Sequence, residues 1–323
     1  MSVVVIATGG TITSHFDGGE WLSISVRQLI DELGDGYSDV DVVDAAAGPS
    51  SNLNVDDMVA VAAHVSSAFD RGATGVVVVH GTDTMELTAY VTHLLDPAAG
   101  RGPVVFTGSM RVHSHPQPDG PQNLRDAIAT ARSWRRATSG VLVCMEGVLH
   151  TAPFVGKRSA ASVDAFDSFP YEPVGRVLPS GNSIDGGGVP PRGLPVSALA
   201  DEVPLISCYP GIDAAVIERA ATGARGLVVE GFGDLNIPNA AWGPVHEAWQ
   251  RGLLVVLASR VFTPTSRNEA MEFLGGVGAG GLTAQKARLL AMAALGSTAD
   301  RDAAAALFRS HALPHHHGER SSG

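Results

Sequence analysis

The sequence predicts an α/β protein of two α/β domains with mainly parallel sheets, the N-terminal domain being the larger. Three observations predict it. Short apolar runs rich in β-branched residues, such as Val3–Ala7 and Gly75–Val79, end abruptly in turns of Gly, Thr and Ser. Runs of that length bounded by turn residues read as buried strands. Between them lie stretches of helical character, and strands alternating with helices imply parallel pairing with both faces of the sheet covered. This rhythm halts at Gly181–Ala200, which holds Gly186-Gly187-Gly188 and Pro190-Pro191, and resumes at Val203. Such a composition reads as a linker. The expected division is a domain over 1–180 carrying the turns of interest, a linker over 181–202, a second domain over 203–311 and a disordered tail over 312–323.

The composition narrows the class further. The chain has 323 residues, 45% of them hydrophobic and 17% charged, so it buries a large core without staples. Its formal net charge of -11, with no basic block, excludes nucleic acid as the main partner, because phosphate binding needs clustered Lys and Arg. No run reaches the ~20 apolar residues of a membrane span. Met1-Ser2 leads straight into a strand with no charged leader, so a cytoplasmic location is expected. Cys144 and Cys208 lie in apolar runs of different domains and read as small buried hydrophobes.

Along the chain, Val3–Ala7 runs into Thr8-Gly9-Gly10-Thr11, a strand ending in a tight turn flanked by hydroxyls. Thr13–Glu20 is polar, carries a Gly pair, and reads as a mobile loop over that strand end. A short helix is expected over Ser25–Leu33 and a strand over Val40–Ala46, followed by the polar turn Gly48–Asn52. Asn54 is placed to cap a helix over Val55–Asp70, with Asp56 and Asp57 in its first turn. Gly75–Val79 ends in His80-Gly81-Thr82-Asp83-Thr84 before a helix over Met85–Leu95. The strand Pro103–Phe106 ends in Thr107-Gly108-Ser109-Met110-Arg111, a helix follows over Leu124–Trp134, and Val141–Met145 is a further strand. In the second half, strands are expected at Val203–Cys208, Gly226–Glu230 and Leu253–Ala258. Helices are expected at Ile212–Thr222, Asn239–Arg251, Thr283–Ala294 and Ala299–Phe308.

Four strand ends thus present hydroxyls beside glycine: Thr11, Ser50 with Ser51, Thr82 with Asp83, and Thr107 with Ser109. In open α/β sheets the carboxyl ends of the strands are where ligands bind. No dinucleotide or P-loop fingerprint is present, and no GxSxG elbow. His113 and His115 lack metal-ligand spacing, so neither a metal nor a cofactor is expected. What remains is a hydroxyl nucleophile site. A Thr hydroxyl is weak until a base or cation helps it lose its proton. A Thr82–Lys157–Asp83 relay would supply that help. Each residue also has a plainer reading, Lys157 as a surface lysine and Asp83 as a helix cap.

The motifs ATGGTI at Ala7–Ile12, HGTDTMELTAY at His80–Tyr90, TGSMR at Thr107–Arg111, DGPQNL at Asp119–Leu124 and GKRSAASVDAF at Gly156–Phe166 resemble the bacterial-type L-asparaginase/glutaminase family. The resemblance continues through Gly231–Asn236 and LTAQKARLL, in the right order over nearly the whole chain. It implies hydrolysis of L-asparagine to L-aspartate and ammonia without a cofactor. Thr11 matches the family's nucleophile, and Thr82, Asp83 and Lys157 match its second catalytic set. Asp83 matches the carboxylate that holds the substrate ammonium and Ser50 the serine that holds its carboxylate, with Ser51 beside it. The resemblance further implies a homotetramer, a dimer of dimers whose sites lie at subunit interfaces.

Three positions depart from the family's pattern. Trp21 stands ten residues after Thr11, where type I members carry a lid tyrosine. Ser51 stands where many members have Gln. The glutamate that a neighbouring subunit lends to the substrate has two candidates, Glu269 and Glu272. A relaxed glutaminase-asparaginase or another small-amide amidase is the alternative reading, and a weakly catalytic amino-acid-binding module a further one. A component of a tRNA-dependent amidotransferase is not expected, since those carry an added N-terminal domain.

Overall fold

A computed structural model of the chain describes residues 2–45, 48–96, 98, 100–133, 140–178, 181–183, 193, 194, 196, 198–261 and 269–312. It divides into two units, Met1–Arg192 and Gly193–Gly323. The tail over 313–323 lies outside the described residues.

In the first unit the chain runs β1 (Val3–Ala7), β2 (Ser14–Asp17), β3 (Glu20–Ser23), α1 (Val26–Glu32), β4 (Val40–Asp44) and α2 (Val55–Asp70). It continues through β5 (Gly75–Val79), α3 (Met85–Leu95), β6 (Val104–Thr107), α4 (Gly120–Ser133), β7 (Val141–Met145) and β8 (Val148–Thr151). The short strands β9 (Gly156–Lys157), β10 (Phe166–Asp167), β11 (Gly175–Leu178) and β12 (Gly181–Ser183) complete it. The main sheet has the order β12-β11-β8-β7-β6-β5-β1-β4. From β4 through β7 every pairing is parallel; β8, β11 and β12 join antiparallel.

Parity explains why β1 and β5 read as unbroken apolar runs. Val3, Val5, Ala7, Val77 and Val79 pack with Leu29, Ile30, Leu124 and Ile128 from α1 and α4. Val4, Ile6, Val76 and Val78 pack with Val61, Val65, Met85 and Ala89 from α2 and α3. Each fully buried Val or Ile contributes roughly 1.5–3 kcal/mol, so a strand covered on both faces cannot alternate. Asn54 caps α2 as expected, its Oδ1 accepting from the Asp57 N–H while Asp57 accepts from the Asn54 N–H.

The structure corrects three expectations. Thr13–Glu20 is not a featureless loop: β2 and β3 form a hairpin, Phe16 opposite Trp21, around Gly18 and Gly19 at φ 56° and 93°. A two-residue turn of that hand needs positive φ at both positions. The helix expected from Leu124 begins at Gly120, because Pro121 is well placed in a first turn where its missing N–H costs nothing. Gly181–Ser183, read as the start of a linker, is the strand β12 paired with β11, where it supplies partners to an otherwise bare sheet edge.

The second unit runs β13 (Leu205–Ser207), α5 (Ala214–Ala220), β14 (Gly226–Gly231), α6 (Asn239–Gln250), β15 (Leu254–Ser259), α7 (Glu269–Leu274), β16 (Val277–Gly278), α8 (Ala284–Ser297) and α9 (Arg301–His311). Its sheet, β13-β14-β15-β16, is parallel throughout. Leu227, Val229, Val255 and Leu257 pack against Ile217, Ala241 and Val245 of the flanking helices. Cys144 and Cys208 are buried free thiols. Among the described residues no helix is long and apolar enough to cross a membrane.

Candidate active site

The order β4-β1-β5-β6-β7 places the reversal of strand order between β1 and β5, which run parallel. That is where an open sheet leaves a crevice at its carboxyl edge. Two glycines make the crevice tight. Gly10, at φ 105°, lies so near Gly81 that a Cβ on it would stand 2.5 Å from the Gly81 Cα. A Cβ on Gly81 would in turn stand 2.7 Å from the Ser50 Oγ. The turns after β1, β4 and β5 therefore stack directly, which side chains at either glycine would prevent.

Thr11 opens a helical turn, Thr11–Thr13, immediately after Gly10. Thr82 follows Gly81. The contact of the two glycines thus sets the turns carrying both threonines side by side. Ser50 is buried, and its carbonyl accepts from the Thr84 hydroxyl at 2.9 Å. Ser51 beside it is exposed.

The hydroxyls at these strand ends divide into two kinds. Thr8 donates to the Val79 carbonyl at 3.0 Å, Thr107 to the Cys144 carbonyl at 2.9 Å, and Ser109 to the Arg111 carbonyl at 2.7 Å. Those three hold the backbone. The half-buried Thr11 hydroxyl has no protein partner among the described residues. The buried Thr82 hydroxyl accepts from the Lys157 ammonium at 2.9 Å, and the same ammonium donates to Asp83 Oδ1 at 2.8 Å. Lys157 is 75 residues from Thr82 in sequence. Its side chain is only 18% exposed, whereas that of Asp83 is 64% exposed. Asp83 therefore holds the lysine with one oxygen while facing open space.

Groups not singled out in the sequence complete the frame. Asp119 accepts from the N–H of Met110 at 2.8 Å and of Arg111 at 2.9 Å, closing the turn after β6. The fully buried Asn123 donates to Asp119 at 3.2 Å and to the Gly108 carbonyl at 3.0 Å, and accepts from the Glu146 N–H at 3.0 Å. An Asp opening a helix, with an Asn one turn on, was the available signal. His80, wholly buried, pairs its Nδ1 with the Gly81 carbonyl at 2.7 Å. Burial pushes its pKa down to about 4, so the ring is neutral above that pH. His113 pairs with Glu32 at 3.3 Å and His115 accepts from the Gln117 N–H at 3.0 Å.

Trp21 is 66% exposed on the hairpin, its ring 5.1 Å from Phe16. Glu269 and Glu272 fall in α7; their side chains lie outside the described residues.

The site is a crevice at the carboxyl edge of a parallel α/β sheet, holding hydroxyls, a carboxylate and a largely covered lysine. The chain belongs to the asparaginase family: the family model described as Asparaginase, N-terminal matches residues 2–186, and the Glutaminase/Asparaginase C-terminal domain matches residues 202–308. L-asparaginase 2 of Escherichia coli (strain K12) is 30% identical over 319 residues, covering 93% of this chain and 90% of that one. A glutamyl-tRNA(Gln) amidotransferase polypeptide of Pyrobaculum aerophilum is 30% identical over 279 residues, and the match spans 80% of this chain and 65% of that longer relative. The crystal structure of a probable cytoplasmic L-asparaginase from Campylobacter jejuni superposes with a TM-score of 0.82 at 28% identity, covering 95% of this chain and 99% of that one. The two-domain asparaginase architecture with a larger N-terminal part accords with the fold expected from the sequence.

Proposed function

We propose that this protein is an L-asparagine amidohydrolase acting through a threonine acyl-enzyme, without a cofactor. The observation that carries the reading is the single ammonium of Lys157 joined to both Thr82 and Asp83. The chain has only two lysines, Lys157 and Lys286, among 22 basic residues. Unlike an arginine, a lysine can give up and take back a proton, which a relay requires.

Thr11, whose hydroxyl is free, attacks the side-chain amide carbon. Backbone N–H groups of the Gly9–Gly10 and Gly81 turns face the developing oxyanion. Lys157 and Thr82 relay the proton, reaching Thr11 through water in place of the phenol that Trp21 lacks. Ammonia leaves, and water cleaves the acyl-threonine to give L-aspartate. Asp83 holds the substrate ammonium with its exposed face, and Ser50 holds the substrate carboxylate. A neighbouring subunit of a homotetramer lends Glu269 or Glu272, and the enzyme works in the cytoplasm.

A relaxed glutaminase-asparaginase is the second reading. The short Ser51, where many family members carry Gln, favours it by leaving room for one more methylene. Ammonia release from L-asparagine, L-glutamine and D-asparagine, with Thr11→Ala beside wild type, tests both. Release dominated by L-asparagine and absent in the mutant upholds the first; comparable glutamine turnover selects the second; release from none of the three refutes both.

A further inference from the structure

A lysine has four rotatable side-chain bonds, so its ammonium is only as well placed as the backbone that carries it. Lys157 lies on β9, two residues long and paired only with the equally short β10. Such a pair is a weak anchor. A second anchor exists. The backbone N–H of Lys157 donates to Glu86 Oε2.

Glu86 stands in the first turn of α3, three residues after Asp83. Asp83 lies just before the N-cap Thr84, so the two carboxylates stand within four consecutive residues at the start of α3. One turn of the chain therefore grips the lysine at both ends: Thr82 and Asp83 hold the ammonium, and Glu86 holds the main chain. The grip is a charge-assisted hydrogen bond. A carboxylate in a first turn is also favoured by the helix dipole, which helps to keep Glu86 in place. Further ties of the segment lie on the following residues: Arg158 N–H donates to the Ala165 carbonyl at 2.6 Å, Ser159 N–H to the same carbonyl at 3.3 Å, and the Arg158 guanidinium to the Phe169 carbonyl at 3.3 Å.

We propose that Glu86 is a positioning residue for the reaction: by holding the Lys157 main chain it sets the reach from which the ammonium meets Thr82 and Asp83. The inference rests on the relay reading of Thr82, Asp83 and Lys157 given above. It makes reach, and not charge, the property that matters at position 86. Gln reproduces the reach and loses the charge; Asp keeps the charge and loses the reach.

The test compares full-length wild type with Glu86→Gln, Glu86→Asp and Glu86→Ala. Two readouts are taken: kcat and KM for ammonia release from L-asparagine, and the rate at which acetic anhydride acetylates Lys157, read by mass spectrometry. With only two lysines in the chain the second readout is clean. Glu86→Gln is expected to keep kcat within about threefold, while Glu86→Asp and Glu86→Ala lose about tenfold to a hundredfold with KM little changed. Lys157 labelling is expected to rise about tenfold in the Asp and Ala variants and not in Gln. Unchanged labelling in Glu86→Asp and Glu86→Ala overturns the proposal, as does loss of kcat in Gln equal to that in Ala. If wild type releases no ammonia yet the labelling contrast holds, the positioning role stands and the amidohydrolase reading falls.

Discussion

Gly10 and Gly81 meet backbone to backbone, and a Cβ on Gly10 would stand 2.5 Å from the Gly81 Cα. This contact aligns the turn carrying Thr11 with the turn carrying Thr82. Gly10→Ala adds an atom where none fits, at a φ of 105° that side chains avoid. It is expected to destabilise the protein by roughly 2–4 kcal/mol and to abolish ammonia release. Urea unfolding followed by circular dichroism, with the assay alongside, checks both.

Thr11→Ala and Thr82→Ala are each expected to lower kcat by at least about a thousandfold, as removal of members of one catalytic unit does. Neither hydroxyl holds the backbone, in contrast to Thr8 and Thr107, so melting temperatures should stay near wild type. Near-normal turnover in either variant would remove the mechanism.

Lys157→Met separates chemistry from binding. It deletes the ammonium while keeping the bulk of the stem. The Asp83 carboxylate left behind is largely solvated, so the stability cost is expected to be about 1 kcal/mol or less. Turnover should vanish while L-aspartate affinity, measured calorimetrically, changes by less than about threefold. A large loss of affinity would instead make Lys157 a binding residue.

Trp21→Tyr is expected to raise kcat, by placing a phenol on the hairpin that carries it, with Trp21→Phe as the control. Trp21 packs chiefly against Phe16 and is mostly exposed, so neither change should disturb the fold. Equal rates in wild type and both variants would show that this position plays no part in activating Thr11.

His80 predicts an acid limit. Its folded pKa is lowered to about 4 by burial, against an ordinary 6.5. Between those values the unfolded chain binds the extra proton, so stability rises with pH and is lost as pH falls from about 6.5 toward 4. The loss attributable to His80 is about 2 kcal/mol at pH 5. Urea unfolding at pH 7 and pH 5 should show it in wild type, and His80→Gln should flatten the difference. An equal drop in the variant would assign the acid sensitivity to other groups.

The parallel strands β1, β4 to β7 and β13 to β15, most of the helices between them and the residue types at their ends follow from the sequence alone. These depend on local rules: five apolar residues in β1 and β5 have no other way to be buried, and Asn54 with Asp57 caps a helix wherever it lies. The family is equally legible there, through motifs strung along nearly the whole chain. Tertiary packing settles which of several equivalent hydroxyls is free. Thr8, Thr11, Thr82, Thr107 and Ser109 look alike as letters beside glycine, yet Thr8 and Thr107 are consumed by carbonyls of neighbouring strands and Ser109 by the Arg111 carbonyl in its own turn. The Gly18-Gly19 pair is itself a local hairpin signal, obscured because the flanking residues Ser14–Asp17 and Glu20–Ser23 are mostly exposed and lack an apolar run, and Gly181–Ser183 is a strand that no apolar pattern marks. The meeting of Lys157 with Thr82 and Asp83, and the hold of Glu86 on the Lys157 main chain, span more than 70 residues. No local spacing encodes such a distance; the fold creates it by bringing the short β9–β10 pair against the turn after β5.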